Sequence, residues 1–304
     1  KERLDYELKV IHDKGYDDYF LVVSDFLKWS KANDIMCGVR GSVGGALTAF
    51  VTDITDINPI RWELYFERFL NPERMSPPDI DSDFQDDRRH EVVEYIKMRY
   101  GEKNCSLICA LGRLKTRAAI RDVSRVMGID LKIADKLSKL VVVKFGKPYS
   151  ASDMMSKVEE FRNEVNSDPK LIEMIEVVKK IENMPRQTGT HACGLLITPK
   201  PVIEYVPLQL DKDKRVTCQL EMKPLEELGL MKFDILGLTN LTIIKNTVNF
   251  IEKYHGIKIN PWQIPHTDEK TFELLQRGDT DAVFQLESEG MKKYLKELKP
   301  TTVD

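Results

Sequence analysis

Two aspartates separated by one apolar residue, Asp79-Ile80-Asp81, are the side chains best suited to chemistry. In an extended strand, residues two apart project to the same face, so the two carboxylates stand side by side. Such a pair repels itself unless a cation neutralises it. Mg2+ suits the arrangement, because it takes oxygen ligands and is commonly held by one or two carboxylates together with substrate phosphates. A solvated acidic turn is the competing reading. Against it, Ile80 alternates with the acids between Pro78 and Phe84. A strand with one apolar and one acidic face makes a poor sheet edge unless the acids bind something. Asp83 continues the acidic face and is expected at the strand end, within reach of solvent. Asp234 is the expected third ligand. It lies inside the apolar run Met231 to Leu238, where an unpaired acid is costly to bury. A cap, or an ion pair with Lys232 on the same strand face, is the alternative. Lys232 is equally placed to meet a phosphate.

Upstream, Gly38-Val39-Arg40-Gly41-Ser42-Val43-Gly44-Gly45 precedes an expected helix over Gly44 to Val51. Glycines let the backbone approach a ligand closely, and a helix N-terminus offers N–H groups to anions. Ser42 adds a hydroxyl, and Arg40 a two-pronged phosphate donor. The loop lacks the Gly-Lys-Ser/Thr ending of a Walker A motif, and a tight structural turn is its plainer reading. A phosphate cradle, an Asp-x-Asp strand and a later Asp strand, in that order, are the arrangement of a nucleotidyltransferase. Arg68 and Arg74, shortly before the acid strand, are expected as triphosphate or scaffold residues.

Arg113, Arg117, Arg121 and Arg125 recur at a spacing of four, with Lys115 nearby. On a helix that spacing makes one slowly rotating basic stripe, with Leu114, Ala118 and Val126 as its packing side. The functional reading is contact with a nucleic-acid backbone, which needs Arg and Lys without base reading. An exposed charged helix is the alternative. His191, in an expected loop over Arg186 to Gly194, is a candidate primer or phosphate contact or a structural hydrogen bonder.

The elements that must position these residues follow from periodicity. Residues 2–13 are expected as an amphipathic helix packing through Leu4, Leu8 and Ile11, and 24–32 as another after the apolar run 19–23. Strands are expected near 35–37, 79–84, 106–111, 194–198, 215–219 and 230–235, and a charged helix over 86–99. From Gly112 to about Met184 the pattern is almost wholly helical, with Ser167-Asp168-Pro169 a strong helix start. This block reads as a helical insertion between sheet-forming stretches. Residues 240–304 read as helix and loop.

The 304 residues allow about two domains, and 42% hydrophobic with 31% charged residues is a globular composition. No run approaches a membrane span, so no membrane partner is expected. The net charge of −3 argues against a uniformly basic nucleic-acid binder and leaves DNA contact to local clusters. Five cysteines and five histidines form no zinc pattern, and the cysteines read as thiols of a reducing cytosol. Trp29, Trp62 and Trp262 read as core. The charged start, without an initiator Met, suggests a piece of a longer protein and no signal peptide.

Several segments together resemble the family of bacterial DNA polymerase III alpha subunits, the C-family replicative polymerases. They are Arg40-Gly41-Ser42, Phe66 to Arg74, Pro78 to Phe84, Ala119 to Val126, Arg186 to Gly194, Lys232 to Leu238 and Ala282 to Met291, in the family's order. The chain departs at Gly38-Val39, where many members carry Gly-Pro-Gly, and at Cys193-Gly194, where Gly-Gly is usual. The resemblance implies catalytic, metal-holding carboxylates at Asp79, Asp81 and Asp234, and an α+β fold. That fold is a polymerase-beta-like nucleotidyltransferase palm (1–111 and 190–239), an inserted helical thumb (112–189) and the start of a helical fingers domain (240–304). It implies template-directed DNA synthesis with two Mg2+ ions, for which Mn2+ can substitute. Arg40, Gly41, Ser42, Arg68 and Lys232 would bind the nucleotide, and Arg113, Lys115, Arg117, Arg121, Arg125 and His191 the DNA. Primer-template DNA and dNTPs are the implied partners, with a sliding clamp and other replisome subunits reached through regions outside this segment. The implied location is cytoplasmic and nucleoid-associated. With most of the fingers outside it, the segment alone is expected to have little activity. A template-independent transferase of the same palm type and a non-catalytic DNA-binding fragment are the alternatives.

Overall fold

A computed structural model describes residues 1–73, 77–144 and 146–303, and shows a mixed α+β chain. It opens with helices α1 (Glu2–Asp13) and α2 (Asp17–Ala32), strand β1 (Cys37–Arg40) and the short helix α3 (Leu47–Val51). Strand β2 (Asp81–Gln85), helix α4 (Arg89–Tyr100) and strand β3 (Cys105–Arg113) follow. Next come α5 (Thr116–Val126), α6 (Leu131–Leu140), the two-residue strands β4 (Val143–Lys144) and β5 (Lys147–Pro148), α7 (Ala151–Lys157), α8 (Glu159–Asn166) and α9 (Pro169–Ile181). The remainder is β6 (Pro185–Ile197), β7 (Leu208–Leu210), β8 (Val216–Cys218), α10 (Met222–Glu227), β9 (Lys232–Leu238), α11 (Thr239–His255), α12 (Glu269–Arg277) and α13 (Glu289–Leu298). Two compact units result, one of residues 1–107, 192–208 and 223–304, the other of 108–191 and 209–222. No described helix is long and apolar enough to cross a membrane.

The first unit is built on strands in the order β1-β2-β9-β6. β1 runs antiparallel to β2, β2 parallel to β9, and β9 antiparallel to β6. Alternation along the strands sorts the side chains. Phe84 of β2, Phe233 and Ile235 of β9 and Leu195 of β6 enter one core with Phe26 and Leu27 of α2 and Ile96 of α4. The acids take the opposite parity. Trp29 of α2 stacks on Tyr95 of α4 at 4.4 Å and 9° and seals the core edge. α2 is one unbroken helix where the sequence suggested a separate apolar run. Asp17 and Asp18 in its first turn complement the helix dipole and allow the earlier start.

α1 packs differently from its pattern. Ile11 is buried as expected, but Leu8 is 46% exposed, and Glu7 and Val10 are buried in its stead. The reason is the Glu7 carboxylate, which pairs with Arg3 at 3.0 Å and accepts the Thr48 N–H at 2.8 Å and its hydroxyl at 3.1 Å. Arg3 in turn donates to the Gly45 and Leu64 carbonyls. Gly45 itself has no room for a side chain, since a Cβ there would lie 2.5 Å from the Tyr65 carbonyl oxygen.

The second unit gathers α5 to α9 around Ile120, Leu137, Phe161, Val165, Met174 and Val178. Asp168 caps α9 by accepting the Lys170 N–H, with Pro169 as first helical residue, as Ser-Asp-Pro foretold. On α5 the packing residues are Ala119, Ile120 and Val123 with the expected Ala118 beside them, while Val126 is 82% exposed. The helical block gives way to β6 at Pro185, in keeping with the expected end of the helical pattern near Met184.

Candidate metal centre

The parallel pairing of β2 with β9 sets Asp81 directly beside Asp234. Asp79, just ahead of β2, completes a group whose ligand oxygens, one from each residue, all lie within 4.8 Å of one another. The backbone between the first two acids is fixed from below. The Ile80 N–H donates to the Tyr19 hydroxyl oxygen at 3.1 Å, and the Tyr19 ring lies 5.1 Å from that of Phe233. From the β9 side, Arg89 of α4 donates to the Ile235 carbonyl at 2.5 Å. Sequence reading missed Tyr19, whose only signal was an apolar run that hides the one polar atom in use.

The three acids differ in environment. The Asp234 side chain is 5% exposed, whereas Asp79 is 58% exposed. Burial raises the Asp81 pKa, Asp79 raises it further, and Arg40 and Lys232 pull the other way. Burial also raises the Asp234 pKa, against the pull of Lys232. Lys232 Nζ stands 2.6 Å from Asp234 Oδ2 and 3.3 Å from Asp79 Oδ1. Burial works against its charge, yet these two ion pairs win and its pKa is raised. An all-oxygen set of three carboxylates, one deeply buried, fits a hard divalent cation of the Mg2+ type.

Asp83 is not a solvent-facing strand end. It is 3% exposed and held two-pronged by Arg40, through Nη2 to Oδ1 at 2.9 Å and through Nε to Oδ2. The antiparallel register is the cause. Arg40 lies opposite Asp81, so Asp83 is its diagonal neighbour on the same face, within reach of a long side chain. Arg40 is thus partly committed, with the Phe284 ring 5.5 Å away as a further neighbour.

The glycine loop also departs from expectation. Gly41–Gly45 form a 3-10 turn, and the helix begins only at Leu47. Gly41 has a φ of +85°, a conformation that favours glycine. The Thr48 N–H that would face an anion is already taken by Glu7. Gly41 is exposed and Ser42 half-buried, and Arg68 is exposed in the turn Phe66–Arg68. Arg74 lies outside the described residues.

The five basic residues of the second unit do not form one helical stripe. Arg113 ends β3 and pairs with Glu221 at 2.6 Å. Lys115 precedes α5 and donates to the Asn183 side chain at 2.9 Å. Arg117, Arg121 and Arg125 do lie on α5. There Arg117 donates to the Val141 carbonyl at 2.7 Å, Arg121 pairs with Asp135 at 3.0 Å and Arg125 with Asp122 at 3.7 Å. Arg121 and Arg125 keep most of their surface in solvent. His191 is exposed on β6, not in a loop. Trp262, read as core, is 51% exposed and lies over Gly38, and Trp62 stacks on His266 at 5.2 Å.

Comparison with known proteins gives a consistent picture. Residues 1–237 match the family model described as bacterial DNA polymerase III alpha NTPase domain, and residues 240–304 match the bacterial DNA polymerase III alpha subunit finger domain. The chain is 43% identical to the DNA polymerase III subunit alpha of Aquifex aeolicus (strain VF5), over 100% of this chain and 28% of that protein. It is 42% identical to that of Thermus aquaticus, over 98% of this chain and 25% of the relative. It is 44% identical to that of Staphylococcus aureus (strain MRSA252), over 98% and 28%. The chain therefore spans about a quarter of the length of these curated relatives.

Proposed function

The chain belongs to the bacterial DNA polymerase III alpha subunit family, and on that premise we propose that it carries the catalytic centre of a template-directed DNA polymerase. The observation that carries the reading is the Asp81–Asp234 register with Asp79 alongside. In this reading the fold is a nucleotidyltransferase palm of polymerase-beta type over 1–111 and 190–239. Residues 112–189 are a helical thumb, and 240–304 open the fingers.

Asp79, Asp81 and Asp234 would hold two Mg2+ ions, for which Mn2+ could substitute. Bound there, the ions supply charge stabilisation at the attacking and leaving oxygens of an in-line phosphoryl transfer. The protein's part is positioning. Asp234 is fixed by its strand and by burial, and Tyr19 pins the backbone at Ile80. Asp83 uses the Nε and Nη2 donors of Arg40, which leaves Nη1 for a triphosphate oxygen. Ser42, the Gly41 backbone and Arg68 line the same nucleotide. Lys232 gives the phosphates a mobile ammonium. Arg113, Lys115, Arg117, Arg121, Arg125 and His191 follow the DNA backbone. The polymer substrate is primer-template DNA, dNTPs are the second substrate, and a sliding clamp and replisome subunits engage the remainder of the full protein in the cytoplasm, at the nucleoid.

Primer extension by the full natural protein that carries this sequence tests the reading. With Mg2+ and all four dNTPs, Asp81→Ala is expected to lower template-dependent extension by at least about a thousandfold. Unchanged extension removes Asp81 from catalysis, and extension that ignores the template points to a template-independent transferase.

A further inference from the structure

We propose that Lys232 couples divalent-cation binding to nucleotide binding, by neutralising the acids when no metal is present and moving to a phosphate when both ligands arrive. The inference rests on the metal-centre reading above. Its basis is where the ammonium sits. Nζ lies 2.6 Å from Asp234 Oδ2 and 3.3 Å from Asp79 Oδ1, so it bridges two of the three carboxylates whose oxygens converge within 4.8 Å. The lysine side chain is 22% exposed and that of Asp234 5%. A carboxylate so buried requires a counter-ion, and within this cluster Lys232 is the cation that touches it.

An ammonium has three donors and no lone pair, so it cannot act as a metal ligand. A divalent cation approaching Asp79 and Asp234 meets a like charge already seated there. Lys232 is tethered two residues from Asp234 on the same strand, which keeps it in place at a high effective concentration. Metal binding must therefore displace it, and displacement leaves a half-buried ammonium without a partner. A polyphosphate supplies one. Arg40 does not provide the same link, because its partner is Asp83 and not a member of the triad. Binding linkage is reciprocal. The lysine weakens metal binding when nucleotide is absent and strengthens it when nucleotide is present, so the site fills as a set.

The test is Mn2+ binding measured by electron paramagnetic resonance on the full natural protein, with the site defined as the Mn2+ lost in Asp81→Asn. Wild type and Lys232→Met are titrated with and without a deoxyadenosine α,β-imidotriphosphate. Lys232→Met is expected to bind Mn2+ at least about fivefold more tightly without the analogue, and the tightening caused by the analogue is expected to shrink by a similar factor. In EDTA its melting temperature should fall below wild type, and Mn2+ should raise it by more. Lys232→Gln, which keeps a hydrogen-bond donor for Asp234, repeats the test without leaving that carboxylate bare. If both variants bind Mn2+ no more tightly than wild type while Asp81→Asn abolishes the site, the coupling is overturned and the metal centre stands. If Asp81→Asn leaves Mn2+ binding unchanged, the metal-centre reading fails and takes the coupling with it.

Discussion

Asp83 and Arg40 show what a single residue owes to its register. Asp83 is buried and its charge is answered by a partly exposed guanidinium. Removing Arg40 leaves a carboxylate stranded in a dry setting, which costs several kcal/mol when a buried pair is broken. Arg40→Ala is expected to destabilise the protein by about 3 kcal/mol, read from urea unfolding, and the double variant Arg40→Ala with Asp83→Asn should recover part of that loss. Full additivity of the two single changes would mean the pair is not coupled. The three clustered acids were legible because their signal is local. Asp79 and Asp81 alternate with Ile80, and Asp234 interrupts an apolar strand. The roles of Asp83, Tyr19 and Glu7 were not, because each is defined by a partner far along the chain, and no local spacing announces Arg40, the Ile80 N–H or Thr48.

At the scale of elements, the same contrast separates helices from strands. α4 and α9 follow their patterns, because helix spacing is written within a few turns. β6 was read in part as a loop, because Arg186 to Gly194 carries polar and small residues that a strand accepts only when its neighbours satisfy it. The basic stripe failed for a related reason. Spacing of four continued through Arg113, but the chain is still β3 there and α5 starts at Thr116. The turn between β7 and β8 offers a pH test. Asp211 accepts the Arg215 N–H at 2.9 Å, the Thr190 hydroxyl at 2.8 Å and the Asp213 N–H at 2.9 Å. The Arg215 N–H foremost, with these others and the Arg215 guanidinium, holds its carboxyl down to about 2. A depressed carboxylate stabilises the fold above its unfolded value, near 3.9, and that contribution is lost as pH falls towards 2. Asp211→Asn should therefore melt below wild type at pH 6, with the gap closing as pH approaches 2. A gap independent of pH would show that the carboxylate charge is not what the turn uses.

For the whole molecule, a net charge of −3 means that any grip on DNA is local. On α5, Arg121 and Arg125 keep most of their surface in solvent, and both are held by weak surface pairs, which cost little to exchange for phosphate. If they track the duplex, replacing each with alanine should lower the slope of log K against log salt by about 0.9 per lost contact, measured by fluorescence anisotropy with a primer-template duplex. An unchanged slope removes them from the interface. The sequence switches from strand to helix pattern near Gly112, whereas β3 and β6 run on from one unit into the other and residues 209–222 join the second, which no local pattern announces.

The parallel pairing of β2 with β9 also has a temporal side. Its partners lie roughly 150 residues apart in sequence, a long loop to close before any contact rewards it. At a synthesis rate of about 5–20 residues per second, a nascent chain waits roughly 8–30 s between making Asp81 and making Asp234. During that interval the ribosome produces the whole of the second unit, while β2 carries an unpaired edge and two acids without Lys232. Such an edge is a template for mispairing. The last piece of the acid cluster to be made is also the strand that joins β2 to β6, and no half-built chain can assemble the cluster early.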